Sequence, residues 1–185
     1  MREAKAGETV ETVVTYLVME RRPDFAWPPA PLGPPLALLH AVEPPPWYFL
    51  SLYDAVGGRY EWTDWHDASD DDLAAYVGDP QVELYTLMRT GWPAGFFMLD
   101  FRTAGSCGLA YFGLVPEMVG RGLGGWMLRT AVHMGWDRDG VDRMRVNTCT
   151  LDHPAALPLY QKVGFQPEWR ETRSHQLSRD RTMPP

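Results

Sequence analysis

The six residues Gly120 to Gly125, "GRGLGG", stand between an apolar run, "CGLAYFGLV", and an amphipathic run from about Leu123 to Asp137. That order constrains the chain more than any other feature: a strand must enter the turn and a helix must leave it. Along the helical run Leu123, Trp126, Met127, Thr130, Ala131 and Met134 fall on one face. Glycines admit positive φ and close backbone approach, and the N–H groups of a first helical turn have no partner within the helix. With the helix dipole and the cation of Arg121, they form a cradle for a phosphate.

The same letters satisfy G-x-G-x-x-G, the dinucleotide fingerprint, but the surroundings do not. That fingerprint belongs to a β-α-β unit followed by further such units, with an acid closing the second strand. Little chain follows here, and the nearest acid at the right distance, Asp142, precedes its strand. A nucleoside triphosphate loop is excluded as well, because no Lys-Ser or Lys-Thr closes the motif.

Ahead of the glycines lie "QVELYTLMR" and "AGFFMLDFR", separated by "TGWPAG" and followed by "TAGS", the pattern of an antiparallel meander. "ETVVTYLVMER" reads as an earlier strand. The four-residue spacing of Tyr48, Leu52 and Val56 predicts a helix ending at Gly57-Gly58. "SDDDLAAYV" reads as a second, short helix capped by Ser69, its acids placed at the positive end of the dipole rather than as metal ligands. After the glycine helix come a strand, "DRMRVNTCTL", a helix entered through His153-Pro154 and stopped at Gly164, and a last strand from about Glu168 to Leu177. Residues 178–185 read as a polar tail. Nine prolines between Pro23 and Pro46 exclude a long helix or a central strand there. The expectation for residues 23–46 is an ordered, extended wrap with one helical turn at Leu36 to His40. The whole, residues 1–185, reads as one α/β domain of α+β type: a mixed, mostly antiparallel central sheet with one β-α-β crossover and flanking helices.

A formal charge of -7 argues against a nucleic-acid partner. Cys107 and Cys149 cannot make a disulfide framework and read as reduced thiols, which points to the cytoplasm. The amino-terminal residues carry no apolar signal-peptide core, and no run is long enough to span a membrane.

"PEMVGRGLGGWMLRTAV" followed by "LDHPAALPLYQKVGFQP" resembles the GNAT superfamily of acyl-CoA-dependent N-acetyltransferases. The first stretch is similar to that family's pyrophosphate-binding segment. In the second, Ala156, Leu157, Leu159, Tyr160, Gly164 and Phe165 match its other signature. Val119 stands where the family prefers Gln or Arg, His153 where it usually has Asn, and Gly108 where many relatives carry an acidic residue that serves as the base. The resemblance implies acetyl-CoA as cofactor, entering between "YFGLV" and "VNTCT". Its pantetheine would run along Leu114 and Val115, and its pyrophosphate would sit on the loop of Gly120, Arg121, Gly122, Leu123, Gly124 and Gly125. His153 would be a further cofactor contact. No metal is implied.

The implied reaction is direct attack of a small-molecule primary amine on the thioester in a ternary complex. A backbone N–H near Leu114 would serve the oxyanion and Tyr160 would act as the acid for the leaving thiolate. Asp100, Glu117, Asp152, His153 and a water chain all stand as candidate bases. Trp47, Tyr48, Tyr53, Tyr60, Trp62 and Trp65 are candidates to wall the acceptor pocket, with Glu61, Asp64 or Asp67 meeting a cation. A homodimer is compatible with the resemblance. The competing readings are a catalytically degenerate acyl-CoA-binding protein and, more remotely, a nicotinamide-dependent oxidoreductase.

Overall fold

A computed structural model of the chain describes residues 2–183. In chain order the strands are β1 (Arg2–Ala4), β2 (Thr9–Met19), β3 (Leu36–Ala41), β4 (Val82–Arg89), β5 (Trp92–Asp100), β6 (Ser106–Leu114), β7 (Arg143–Cys149), β8 (Gln166–Gln176) and β9 (Arg181–Met183). The helices are α1 (Pro46–Gly57), α2 (Asp70–Val77), α3 (Leu123–Asp137) and α4 (Ala156–Lys162). Seven strands form one sheet in the order β3-β4-β5-β6-β7-β2-β8, and β1 pairs with β9 in a separate ribbon. Every neighbouring pair in the large sheet is antiparallel except β6 and β7, which α3 connects in parallel. The mixed α/β sheet with its single crossover is the architecture expected from the sequence.

Two local expectations are corrected. Leu36 to His40 is no helical turn: it lies in β3, the edge strand, paired from Leu36↔Arg89 to Ala41↔Leu84. The prolines before and after it stop the strand without entering it, and an edge strand leaves half its backbone groups free of partners in any case. Within the expected tail, Arg181 to Met183 form β9 against β1; residues 184–185 lie outside the described residues.

Proline and serine set the helix starts on the acceptor side. Pro46 opens α1, where its missing N–H costs no hydrogen bond. Ser69 caps α2 by accepting from the Asp72 N–H at 3.1 Å. Both helices cover one face of the sheet, with Phe49 of α1 edge-on to Phe96 of β5. The other face carries α3, whose Gly135 lies against Met144 and Cys107.

A bulge decides what β6 presents to each face. Met98 pairs with Tyr111 but the adjacent Leu99 pairs with Leu109, so Ala110 is the extra residue. Before the bulge Cys107 meets α3, whereas after it Tyr111 and Gly113 face α1.

Candidate active site

The parallel pair β6 and β7 is joined only over Ser106↔Arg143, Cys107↔Met144 and Gly108↔Arg145. Beyond Gly108 and Arg145 the strands part, although β6 continues to Leu114 and β7 to Cys149. On its other side β6 stays paired with β5 as far as Leu114↔Gly95. A wedge therefore opens inside the sheet, where β6 and β7 no longer supply each other's backbone partners. A cavity of about 930 Å³ fills the wedge. Its wall runs from Gly120 and Gly124 past Leu114 and Tyr160 to Glu61 and His175.

The glycine loop stands at one end. Gly120 and Gly122 have φ of 79° and 76°, a region that L side chains seldom occupy. Gly122 is the N-cap of α3, no side chain caps the helix, and no acid occupies its first turn. Cβ atoms built on Gly120, Gly122 and Gly125 would meet nothing within 4 Å, so the space before these backbone groups is open. Uncapped N–H groups, the positive end of a fifteen-residue helix and the absence of an acid suit an anion such as a pyrophosphate. Arg121 stands in the loop, its Nε donating to the Glu117 carbonyl at 2.8 Å. Leu123 is buried, leaving only its backbone for a ligand.

One expected contact is moved. The Val115 N–H already donates to the Ala94 carbonyl at 3.0 Å, and the Val115 carbonyl accepts from Met118 at 2.9 Å. Both groups are committed to the turn that leads into the loop, and Val115 does not line the cavity. The β6 backbone left beside the cavity is that of Leu114 and the residues before it.

Tyr160 projects from α4 into the wall and is 6% exposed, its ring edge-on to Phe112 and Phe165. Burial, reinforced by the charge of Asp152, pushes its phenol above the ordinary tyrosine value, so it keeps its proton at neutral pH. Asp152 is fully engaged: Oδ2 accepts from the Thr148 hydroxyl at 2.7 Å and the Cys149 N–H at 2.9 Å, while Oδ1 accepts from Trp62 at 3.4 Å. His153 Nδ1 accepts from the Ala155 N–H at 3.1 Å, which fixes the turn into α4 and leaves Nε2 for a ligand.

The other proposed bases are elsewhere. Asp100 is clasped by the Arg102 guanidinium at 2.6 to 3.1 Å and lies outside the cavity, as does Glu117. Of the aromatic candidates, Tyr53, Tyr60 and Trp62 line the cavity together with Tyr111. Trp47 is 68% exposed, and Tyr48 reaches Thr86 of β4 at 2.8 Å. Trp65 donates to the Tyr111 hydroxyl and borders a separate depression. Glu61 and Asp64 line the main cavity; Asp67 does not. Trp62 is seated by Gly57, where a Cβ would collide with its ring.

Sequence reasoning missed His175. It lies in a polar strand with no motif around it, and only the pairing of β8 with β2 carries it to the cavity opposite Glu61. The Glu61 side chain is 1% exposed, and its Oε2 lies 3.3 Å from His175 Nε2 and accepts from the Ser178 N–H at 2.7 Å. Burial pushes the Glu61 carboxyl up, but Ser178 and His175 outweigh it and hold the group below the usual carboxylate range. No cluster of potential metal ligands occurs among the described residues.

Comparison with known proteins meets this geometry. The family described as Acetyltransferase (GNAT) family matches residues 47–165, more than half of the chain. The chain belongs to the GNAT acetyltransferase family. Solved structures similar to this GNAT chain include a GCN5-related N-acetyltransferase from Kribbella flavida (17% identity, TM-score 0.59), covering 90% of this chain and 58% of that one. An aminoglycoside acetyltransferase from an uncultured soil metagenomic sample, solved with sisomicin, shares 13% identity over 70% of this chain and 87% of its own, with a TM-score of 0.55. An IAA acetyltransferase from Bacillus cereus shares 22% identity over 71% and 77%, with a TM-score of 0.53. At these identities the likeness is one of fold. The chain spans 63% of a functionally unknown Staphylococcus epidermidis protein and 53% of a Sphaerobacter thermophilus GCN5-related N-acetyltransferase. No curated protein matches the sequence. No helix among the described residues is long and apolar enough to cross a membrane.

Proposed function

We propose that this chain transfers an acetyl group from acetyl-CoA to the primary amine of a small molecule by direct attack in a ternary complex. The observation that carries the reading is the wedge beyond Gly108 and Arg145, opening beside an uncapped glycine loop and lined by Tyr160. When bound, acetyl-CoA supplies the activated thioester carbonyl. Gly120, the backbone N–H groups of Arg121 to Gly125 and the Arg121 cation would hold the pyrophosphate. Leu114 and the edge of β6 would hold the pantetheine arm, and His153 Nε2 would be a side-chain contact. A backbone N–H near Leu114 stabilises the developing oxyanion, and Tyr160 supplies a proton to the departing sulfur.

The test has two arms. Isothermal titration with coenzyme A should give binding that Gly122→Val abolishes, because a β-branched side chain resists the φ of 76° and fills the space before the cradle. Incubation with acetyl-CoA and a panel of primary amines should release free thiol. Retained affinity in Gly122→Val would move the cradle elsewhere. Tight binding without thiol release across the panel would make the chain an acyl-CoA-binding protein instead.

A further inference from the structure

We infer that His175 takes the proton from the acceptor's ammonium group and that Glu61 is its positioning residue; the inference rests on the acetyl-transfer reading above. Glu61 is held as a carboxylate, and a carboxylate has no hydrogen to give. The 3.3 Å contact with its Oε2 therefore requires that His175 Nε2 carry the hydrogen, and in the neutral imidazole the lone pair is then on Nδ1. His175 lines the cavity, and no group among the described residues hydrogen-bonds Nδ1.

The backbone supports this arrangement at a cost. Glu61 has φ of 63°, a strained value for a residue with a side chain. That conformation splays three consecutive side chains around the cavity. Tyr60 stacks edge-on toward His153, Trp62 reaches Asp152 and the region of Gly113, and Glu61 turns to β8. The Glu61–His175 pair thus sits one residue along the chain from the side chain that touches β6.

A second feature points the same way. Glu61 Oε1 is buried without a hydrogen-bond partner. A proton arriving on the imidazole places a cation beside this buried carboxylate. Meanwhile Asp152 has both oxygens committed, His153 has committed its Nδ1, and Asp100 and Glu117 lie outside the cavity.

The protons balance as follows. The ammonium gives one proton to His175 Nδ1, and the freed lone pair forms the C–N bond to the acetyl carbon. The C–S bond breaks with its electron pair going to sulfur, which takes a proton from Tyr160. The nitrogen's second proton restores the Tyr160 phenol, and His175 releases its proton to water.

Acceptors that are already neutral do not need the first step, and this gives the test. With acetyl-CoA and a panel of alkylamines, His175→Ala should lower kcat about a hundredfold while KM changes little. With aniline, uncharged at neutral pH, the loss should fall to about threefold or less. His175→Asn, which keeps a polar side chain for Glu61, should reproduce the loss if the alanine variant is poorly folded. Independently of turnover, ¹⁵N spectra of the histidine rings should show Nδ1 of His175 unprotonated in the wild type, and a tautomer mixture in Glu61→Gln. Unchanged kcat for alkylamines, equal losses with aniline, or a hydrogen on Nδ1 would each overturn the assignment. If the wild type binds coenzyme A yet acetylates no amine, the proposed function fails first and takes this inference with it.

Discussion

Tyr160 meets two demands at once, packing its ring against Phe112 and Phe165 while its phenol faces the wedge. Only the second depends on the oxygen. Tyr160→Phe should therefore keep its melting temperature and its affinity for coenzyme A, while kcat for thiol release drops about a hundredfold; unchanged turnover would remove Tyr160 from the chemistry. The position was legible in the sequence because it stands four residues before Gly164-Phe165 in a recognisable pattern. Val115 was not. Its place beside Leu114 suggested a free strand edge, but Pro116 turns the chain and commits both Val115 backbone groups to Ala94 and Met118. His175 was invisible for a different reason: its neighbours in sequence are polar, and its meaning comes from Glu61, far away in the chain.

Among the elements, those with strong local signals were read correctly. Ser69 followed by three aspartates specifies the start of α2, and the side chain does accept from Asp72. Ser69→Ala should cost about 1 kcal/mol in urea unfolding at unchanged m-value, whereas a cost near zero would mean that the cap contributes nothing. The hairpin from β4 to β5 was equally local, since Thr90 and Gly91 both take positive φ at its tip. β3 was misread because its leucines recur at spacings a helical turn also permits. What decides between strand and turn is a partner, the edge of β4, that no neighbouring residue announces. The wedge belongs with β3: the strand-like runs foretold β6 and β7, but the point where their pairing stops, past Gly108 and Arg145 and beside the bulge at Ala110, has no local signature.

At the scale of the molecule, Glu61 ties the segment between α1 and α2 to β8 and the turn that follows it, through His175 and Ser178. Its folded-state carboxyl lies below the ordinary 4.5. The stabilisation is therefore fully present above pH 4.5 and is lost as pH falls through the folded value. Wild type should exceed Glu61→Gln in unfolding free energy at pH 7, and the gap should close as the solution is acidified below pH 4.5. A gap that widens in acid would reverse the sign assigned to the carboxylate.

The placing of β2 between β7 and β8 also governs how the chain can be made. β2 precedes both of its neighbours in the chain, since the strands on either side of it come after Asp142. Until then Val10, Val14, Leu17 and Met19, all buried in the finished protein, have no sheet to enter. A chain emerging from the ribosome must carry this apolar strand unpaired until β7 and β8 have followed it, so the sheet closes around β2 only after both have been made.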